Sequence, residues 1–320
     1  MPEKDHPDTP AVQGNTYESP IGNFRTFMDC KPSRDFMAPD VDVVISGVPF
    51  DLTTTGRPGA RLGPAKIRQV SEHLAWEIYR WPWNFHVFDI IGVVDCGDLC
   101  FEPVEKDQMM SRLQHHAAQI LAAHKIMLTF GGDHFITLPL LREHTKKYGP
   151  LALIHFDAHT DTERKQDQYN HGTIFFHAVN EGIVIPDQSV QIGIRTEYIR
   201  ADHRFTVLDA AWVMDHSADA VLTELRRVVG DHPVYVTFDI DCLDPAFAPG
   251  TGTPVVGGLT TDFVLKIIRG LVGCNLIGMD IVEVSPPYDH AELTALAAAT
   301  ISLEILYVFA ANRKMKLKKA

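Results

Sequence analysis

Short apolar segments alternate along the chain with segments whose apolar residues recur at helical spacing. Strands that are apolar throughout and separated by helices form a parallel sheet covered on both faces, so this pattern predicts an α/β fold. The predicted strands lie at 41–48, 90–97, 125–130, 151–156, 189–194, 233–238 and 275–283. The predicted helices lie at about 104–123, 217–229, 262–271 and 290–310.

The two ends of the chain differ in character from the segments between them. Residues 1–20 are polar and proline-rich, and because they lack the apolar core of a secretion signal they predict a flexible arm. The last predicted helix can begin at Asp289, which could cap its backbone while Glu292 reciprocates three residues later. The basic residues 313–320 predict a solvated helix end. We therefore expect a single domain over 21–312.

Composition narrows the classes of partner. The chain has 320 residues, and its 41 acidic against 29 basic side chains give a formal net charge of −12. This balance argues against nucleic acid or an anionic membrane as a partner and is mildly consistent with a cationic substrate. We expect no membrane span, since no apolar stretch looks long and uninterrupted enough. Five scattered cysteines without a CxxC pair are typical of a reduced cytoplasmic protein.

Ionisable side chains follow three of the predicted strands, at the edge of a parallel sheet where chemistry gathers. A single Asp after a strand most often caps a turn, and a lone His is more often a core residue. Three clusters at one edge indicate more than capping, because buried charges must be neutralised, and a metal ion is the strongest candidate. The clusters are Asp133 and His134, then Asp157, His159 and Asp161, then Asp239, Asp241 and Asp244.

The charges of these clusters suit two divalent cations. Four carboxylates would balance two such ions if the histidines stay neutral, and paired ions about 3.5–4 Å apart are usual in hydrolytic sites. Carboxylate-rich coordination with a minority of imidazole and no thiolate favours Mn(II), with Zn or Co as weaker candidates. The carboxylates are Asp157, Asp161, Asp239 and Asp241, and the histidines are His134 and His159.

Several segments, in their order and spacing, resemble the signatures of the ureohydrolases, the arginase–agmatinase family. The resemblance spans about 41–310 and implies an arginase-like, three-layer α/β/α domain with a mainly parallel sheet and two Mn(II) ions per subunit. It implies that His134 and Asp161 bind one ion, His159 and Asp241 the other, and that Asp157 and Asp239 bridge them. The segments are GRPGARLGPAKIR (56–68), GGDHFITLP (131–139), HFDAHTD (155–161), HGTIF (171–175), FDIDCLDPAFAPGTGTP (238–254) and the MDIVEVSPPYD segment that contains Glu283.

Ureohydrolases add water to a guanidinium group and release urea, and the resemblance assigns three residues to this chemistry. Asp161 would pass a proton to the leaving nitrogen, His171 would shuttle protons to solvent, and Glu283 would bind the planar guanidinium. The alternatives are a surface-loop histidine at position 171 and a salt bridge from Glu283 to an arginine of the chain. Asp133 and Asp244 have two alternative roles: they could support metal-bound histidines or loops, or they could cap a helix or a turn.

The resemblance also bears on the substrate. The loop TERKQDQYN (162–170) lacks the Ser/Thr/Asn-rich pattern with which arginases recognise arginine, and the N-terminal third most resembles bacterial agmatinases. We therefore expect agmatine to be cleaved to putrescine and urea. Asn170 stands where agmatinases often carry an acidic residue, which concerns the loop contacts to substrate and leaves the metal ligands untouched.

Three alternatives stay open. The same chemistry could act on guanidinobutyrate or guanidinopropionate, whose carboxylate Arg164 or Lys165 could meet at the pocket mouth. A non-catalytic, metal-binding family member and a single-metal deacetylase are weaker, because the second set of ligands, His159 and Asp241, is complete.

An aromatic cluster bears on assembly. Trp76, Tyr79, Trp81 and Trp83 lie close together in the sequence, and such a cluster usually forms core or a subunit interface. Because agmatinases are commonly oligomers, we expect an interface in a homo-oligomer, a trimer or a hexamer.

Overall fold

Nine strands form one sheet in the computed structural model, which describes residues 25–77, 80–102, 104–165 and 167–319, with side chains placed as far as residue 315. The predicted arm at 1–20 lies outside the described residues. The strands are β1 Lys31–Pro32, β2 Val43–Val48, β3 Val93–Asp98, β4 Ile126–Gly131, β5 Ala152–Phe156, β6 Val190–Ile192, β7 Thr206–Leu208, β8 Val234–Asp239 and β9 Leu276–Val282. The helices are α1 Gly63–Ser71, α2 Lys106–Ala122, α3 Thr137–Tyr148, α4 Ile174–Asn180, α5 Ala210–Asp215, α6 Ala218–Val229, α7 Thr261–Arg269 and α8 Leu293–Lys319.

The sheet is parallel at every pairing, in the order β1-β3-β2-β4-β9-β8-β5-β6-β7. All seven predicted strands are confirmed, with ends displaced by a few residues. The two that the sequence did not predict, β1 and β7, lie at the edges and have two and three residues. Segments this short carry too little apolar pattern to be recognised.

Apolar side chains cover the sheet on both faces, which confirms the predicted three-layer α/β/α architecture. Along β2, Val43 and Ile45 pack in one core with residues of α1 and α5–α8. Val44 and Val48 face the opposite core, which is formed with α2, α3 and α4. A strand buried on both faces needs apolar residues at every position, and this requirement explains its uninterrupted apolar run.

Helix α8 begins close to its predicted start and is longer than predicted. The Asp289 carboxylate accepts hydrogen bonds from the backbone N–H groups of Thr294 at 2.9 Å and Ala295 at 3.1 Å, so its predicted capping is confirmed. Glu292 forms an ion pair with Lys66 instead of reciprocating, so that half of the prediction is wrong. The helix continues through the basic tail to Lys319.

The expectation that no apolar stretch is long enough for a membrane span was wrong, because one helix has the length and the apolar composition of such a span. Residues Leu293–Met315 of α8 form one helix of 23 residues with a mean hydropathy of 1.8. However, 83% of its most apolar window is buried inside the protein. Its apolar length is therefore explained by packing in the core against α1 and α7.

The aromatic cluster is divided between core and surface. Trp83 stacks on Tyr307 with ring centroids 5.3 Å apart, and its indole N–H donates to Glu304 Oε2 at 2.7 Å. Trp76 and Trp81 are 79% and 84% exposed. Tyr79 lies outside the described residues. Two tryptophans thus remain accessible at the surface, whereas the third belongs to the core.

Candidate active site

The carboxyl ends of four neighbouring strands carry the predicted site residues. Strands β4, β9, β8 and β5 are adjacent in the sheet, so the segments that follow them converge at one edge. Short 3-10 helices start directly after β4 and β8 and turn the side chains of His134 and Asp241 inward. The sheet order therefore brings together side chains that are up to 149 residues apart in sequence, as His134 and Glu283 are.

Asp157 stands between two groups of side chains. Its Oδ2 lies 3.1 Å from His134 Nδ1, which is also 2.9 Å from Asp161 Oδ2. Its Oδ1 lies 3.3 Å from His159 Nδ1, which is also 3.1 Å from Asp241 Oδ2. Each group has the size and donor atoms to hold one cation. A carboxylate shared in this way is suited to bridge two ions.

Asp239 completes the set of six predicted ligands. Its Oδ2 lies 3.4 Å from His134 Nδ1, and its Oδ1 accepts a hydrogen bond from the backbone N–H of Asp241 at 2.8 Å. Both aspartates are buried. The structure thus brings all six side chains together, while their individual roles as ligands stay a prediction.

The orientation of His134 fits a metal ligand. Its Nε2 lies 2.8 Å from Thr237 Oγ1, which donates its own proton to Asp280 Oδ1 at 2.6 Å, so Nε2 must donate to the hydroxyl. The other ring nitrogen, Nδ1, is buried among carboxylate oxygens and makes no hydrogen bond within the described residues. A lone pair that faces carboxylates is repelled unless a cation lies between them. Divalent ions with oxygen and imidazole ligands suit this arrangement.

The pKa shifts in the cluster also indicate that its buried carboxylates need positive charge beside them. Burial, together with the charges of Asp241 and Asp157, raises the pKa of Asp239 well above its usual range. Burial opposes protonation of His159, yet its hydrogen bonds and ion pairs with Asp157 and Asp241 raise its pKa to about 12. Burial likewise opposes protonation of His134, whose pKa is nevertheless raised by the surrounding carboxylates of Asp157, Asp161 and Asp239. Protons and metal ions thus compete for the same places.

Glu283 directly follows β9 and lies beside the cluster. Its Oε1 accepts a hydrogen bond from the backbone N–H of His134 at 2.9 Å, and its Oε2 is buried without a hydrogen-bond partner among the described residues. A Cβ at position 252 would lie 3.4 Å from Oε2, so the glycine there leaves the space beside this oxygen free of a side chain. Glu283 has a φ of 63°, a strained conformation that is typical of functional sites.

No arginine or lysine lies within ion-pair distance of Glu283 in the described part of the chain; its ionic partner there is His171. The salt-bridge alternative for Glu283 is therefore wrong. The Nδ1 atom of His171 lies 3.2 Å from Glu283 Oε1, and its Nε2 accepts a hydrogen bond from the backbone N–H of Thr55 at 3.0 Å. Burial would lower the pKa of His171, but the hydrogen bond and charge of Glu283 raise it to about 9.

His171 is thus buried and held from two sides, so the surface-loop alternative is also wrong. Asn170 caps the 3-10 helix that begins with His171, because its side chain accepts a hydrogen bond from the backbone N–H of Gly172 at 3.0 Å. The amide at position 170 therefore has a local structural role in placing the histidine.

The two uncertain aspartates have different roles. Asp133 Oδ2 accepts hydrogen bonds from the backbone N–H and the hydroxyl of Thr53, both at 2.8 Å, and thereby anchors the loop that carries Thr55. Its Oδ1 caps the 3-10 helix that carries His134. The Asp244 carboxylate accepts from the backbone N–H groups of a turn at Ala246, Gly257 and Gly258, so capping accounts for it.

Sequence reasoning missed Thr55 and His155. Thr55 contacts His171 from 116 residues away, and only its place directly before the 56–68 motif pointed toward the site. His155 stands inside the quoted HFDAHTD segment and is fully buried against Asp157, with Nε2 2.7 Å from Oδ2. Its position two residues before Asp157, on the same side of the strand, was the available signal.

We expect the metal-free protein to lose stability as the pH rises from 6 to 8. Burial and the charge of Glu283 raise the pKa of Asp133 to about 7, and the pKa of His159 is about 12. Their unfolded pKa values are about 3.9 and 6.5, so the folded state holds more protons across this window. Stability from a raised folded pKa is lost as the pH rises through it.

Thermal denaturation at pH 6, 7 and 8, with EDTA or with Mn(II), measures this dependence. Each kcal/mol lost lowers the midpoint by about 2–4 °C in a chain of this size class. The midpoint should fall by several degrees in EDTA and much less with Mn(II), because the ions replace the protons. An identical pH dependence under both conditions would contradict the cation site.

Comparison with known proteins agrees with this architecture. The sequence model described as the Arginase family matches residues 41–307. A protein named agmatinase from Serratia proteamaculans (strain 568) is 62% identical over 274 residues, which cover 86% of this chain and 89% of that protein.

Two solved structures extend the likeness to the fold. A crystal structure described as a hypothetical agmatinase from Burkholderia thailandensis has a TM-score of 0.87 and 49% identity, and covers 97% of each chain. The proclavaminate amidino hydrolase from Streptomyces clavuligerus has a TM-score of 0.84 and 37% identity, covering 91% of this chain and 98% of that one. The resemblance seen in the sequence is confirmed, and this chain belongs to the arginase family.

Proposed function

We propose that this site hydrolyses the guanidinium group of agmatine, giving putrescine and urea, with two Mn(II) ions per subunit. The observation that carries the proposal is the buried Oε2 of Glu283, which has no hydrogen-bond partner among the described residues and lies beside the carboxylate–histidine cluster. An ionised carboxylate in this position needs a cation, and a planar guanidinium can meet it with two parallel N–H donors. The high identity to proteins named agmatinase supports the choice of substrate.

The ligand assignment follows the two groups around Asp157. His134 and Asp161 would hold one ion, His159 and Asp241 would hold the other, and Asp157 and Asp239 would bridge them. Carboxylate oxygens with few imidazoles and no thiolate support Mn(II) over Zn. Bound cations would lower the pKa of a water molecule and so supply a nucleophile near neutral pH.

The side chains around the reacting carbon have separate tasks. Glu283 orients the guanidinium, and His171, which donates its Nδ1–H toward Oε1, keeps the carboxylate aimed at the substrate. Water adds to the guanidinium carbon, and the bond from this carbon to the substituted nitrogen then breaks. That nitrogen leaves as an amine and needs a proton, which Asp161, whose Oδ2 lies 2.9 Å from His134 Nδ1, would carry.

His171 is suited to exchange that proton with solvent. It is buried but not completely enclosed, and the proton on its Nδ1, which points toward Glu283 Oε1, is the one that it can exchange. The backbone N–H of Thr55 fixes the ring by donating to Nε2. The loop that carries Thr55 thus positions the proton shuttle.

Agmatine and the guanidino acids differ at the end of the molecule away from the guanidinium, where agmatine has an amine and the acids have a carboxylate. Of the loop cations that could meet a carboxylate, Arg164 lies 3.8 Å from Asp202 and Lys165 lies 2.6 Å from Glu163. Cations with carboxylate partners are less available to an anionic substrate, which supports agmatine. Arg57 favours the alternative, a guanidino acid, because its cation forms no ion pair among the described residues and could meet a carboxylate. It packs over the Tyr288 ring at 4.2 Å.

Urea release after Mn(II) loading tests the substrate. We expect agmatine to be cleaved with a kcat/KM at least about tenfold above arginine, guanidinobutyrate and guanidinopropionate, which corresponds to about 1.4 kcal/mol of discrimination. Chain without added metal is the control. A preference for any of the other three compounds would remove the agmatine assignment, and no urea from any compound would favour a non-catalytic member.

Assembly and location belong to the same proposal. A homo-oligomer, a trimer or a hexamer, is supported by the exposed Trp76 and Trp81. A cytoplasmic location is supported by the five cysteines, which are all free. A single-metal deacetylase is disfavoured, since His159 and Asp241 form a second complete group with Asp157.

A further inference from the structure

His155 touches the site but has no part in the proposed chemistry. It is fully buried, and its Nε2 lies close enough to His134, Asp157 and Asp161 to be counted among atoms that could hold a cation. Two roles are therefore possible for this ring: a metal ligand through Nε2, or a hydrogen-bond donor that holds a ligand in place. The location of its proton decides between them.

A chain of hydrogen bonds leads from His155 to the surface. Gln191 Nε2 lies 3.0 Å from His155 Nδ1 and 2.8 Å from the carbonyl oxygen of Thr160. Gln191 Oε1 lies 2.8 Å from Nε2 of His203, which lines a surface cavity of about 290 Å³. His155 and Gln191 are paired in register across β5 and β6.

The carbonyl of Thr160 settles the direction of this chain, because a carbonyl oxygen can only accept. Gln191 must therefore turn its NH₂ group toward Thr160, and the same NH₂ group must donate to Nδ1 of His155. An accepting Nδ1 carries no proton, so the ring proton is on Nε2 and points to Asp157 Oδ2 at 2.7 Å. His155 is then a donor to the shared carboxylate and cannot offer Nε2 to a metal.

We propose that Gln191 is a positioning residue for the metal centre. By one amide group it fixes the tautomer of His155, and so the direction of the Asp157 carboxylate. By the same group it ties the carbonyl of Thr160, which lies between the predicted ligands His159 and Asp161. A single side chain that binds no ion thus holds parts of both cation sites. This inference rests on the proposed two-metal function.

Substitution of Gln191 tests the proposal. Q191L removes the amide group and keeps a side chain of similar size. In Q191E the carboxylate cannot donate a hydrogen bond to the carbonyl of Thr160. It can only accept one from Nδ1 of His155, which would then have to carry the ring proton. Loss of a group that orients a metal ligand typically costs about 10–100-fold in metal affinity. We expect both variants to need about tenfold or more free Mn(II) for half-loading in competition with a chelator. The KM for agmatine should change little.

Thr129→Val is the matched control, since it also removes a buried polar group from a central strand, and Thr129 Oγ1 makes no hydrogen bond in the described structure. We expect its Mn(II) affinity to equal that of the parent. His155→Gln retains an N–H donor that can reach Asp157, and should bind Mn(II) more tightly than His155→Leu. A loss of affinity in Q191L and Q191E below tenfold would overturn the proposal.

A second readout needs neither metal nor substrate. Nitrogen-15 NMR of the metal-free protein, labelled at histidine, should show Nδ1 of His155 without a proton in the parent and with a proton in Q191E. A protonated Nδ1 in the parent would overturn the inference. If the parent failed to bind Mn(II), the proposed function would fail, and this tautomer measurement would still decide the role of Gln191.

Discussion

Replacing Asp157 with asparagine is expected to abolish urea release and to leave fewer than two Mn(II) ions per chain. Each carboxylate oxygen faces a different histidine, His134 on one side and His159 on the other. An asparagine places an uncharged NH₂ group on one of these sides and removes the charge that both predicted ions share. Removing one partner from a buried, charge-paired site costs about 3–5 kcal/mol, and this loss alone corresponds to a fall in activity of about 10²–10⁴-fold.

Metal content after gel filtration, measured beside urea release from agmatine, checks this expectation. Asp262→Asn is the matched control, because Asp262 is exposed on α7 and its one ion pair in the described part of the chain is with Lys266. The control should keep two ions and full activity. Two bound ions and full turnover in Asp157→Asn would refute the bridging role.

Replacing Glu283 with glutamine is expected to separate substrate binding from metal binding. Glutamine keeps the size of the side chain but cannot neutralise a guanidinium. A buried cation left without its partner costs about 3–5 kcal/mol, so kcat/KM for agmatine should fall by about 10²–10³-fold. Mn(II) content should stay at two per chain, since Glu283 touches His134 only through the backbone N–H.

Glu143→Gln is the control for this variant. Glu143 is equally buried, but it lies on α3 and pairs with Lys146 away from the cluster. It should retain the kcat/KM of the parent. Unchanged kcat/KM in Glu283→Gln, or the loss of both ions, would contradict the assignment of Glu283 to the guanidinium.

The local pattern of apolar and charged residues was sufficient to predict the strands that carry the site. HFDAHTD places Asp157, His159 and Asp161 at alternate positions after an apolar run, and this run is the buried strand β5. Uninterrupted apolar character reveals a strand buried on both faces, and the rule that parallel strands end together brings such clusters to one edge. Edge strands such as β7 lack this signal because they are short and partly exposed.

Contacts between segments that are distant in the sequence could not be predicted from local pattern. Thr55 holds His171 across 116 residues, and Gln191 reaches His155 across 36. Each pair depends on which strands become neighbours, and the order β4-β9-β8-β5 does not follow the order of the chain. The different exposure of Trp76, at the surface, and Trp83, partly buried against the core, could not be predicted for the same reason.

The amino-acid sequence alone therefore determined the class of fold, the strand ends that bear charge and the family, because these depend on local periodicity and on motifs of contiguous residues. Only the tertiary structure decided which oxygen faces which imidazole and that Glu283 has no arginine partner among the described residues. Those properties arise from side chains that meet only after the sheet has formed, in a buried place where water cannot replace a missing partner.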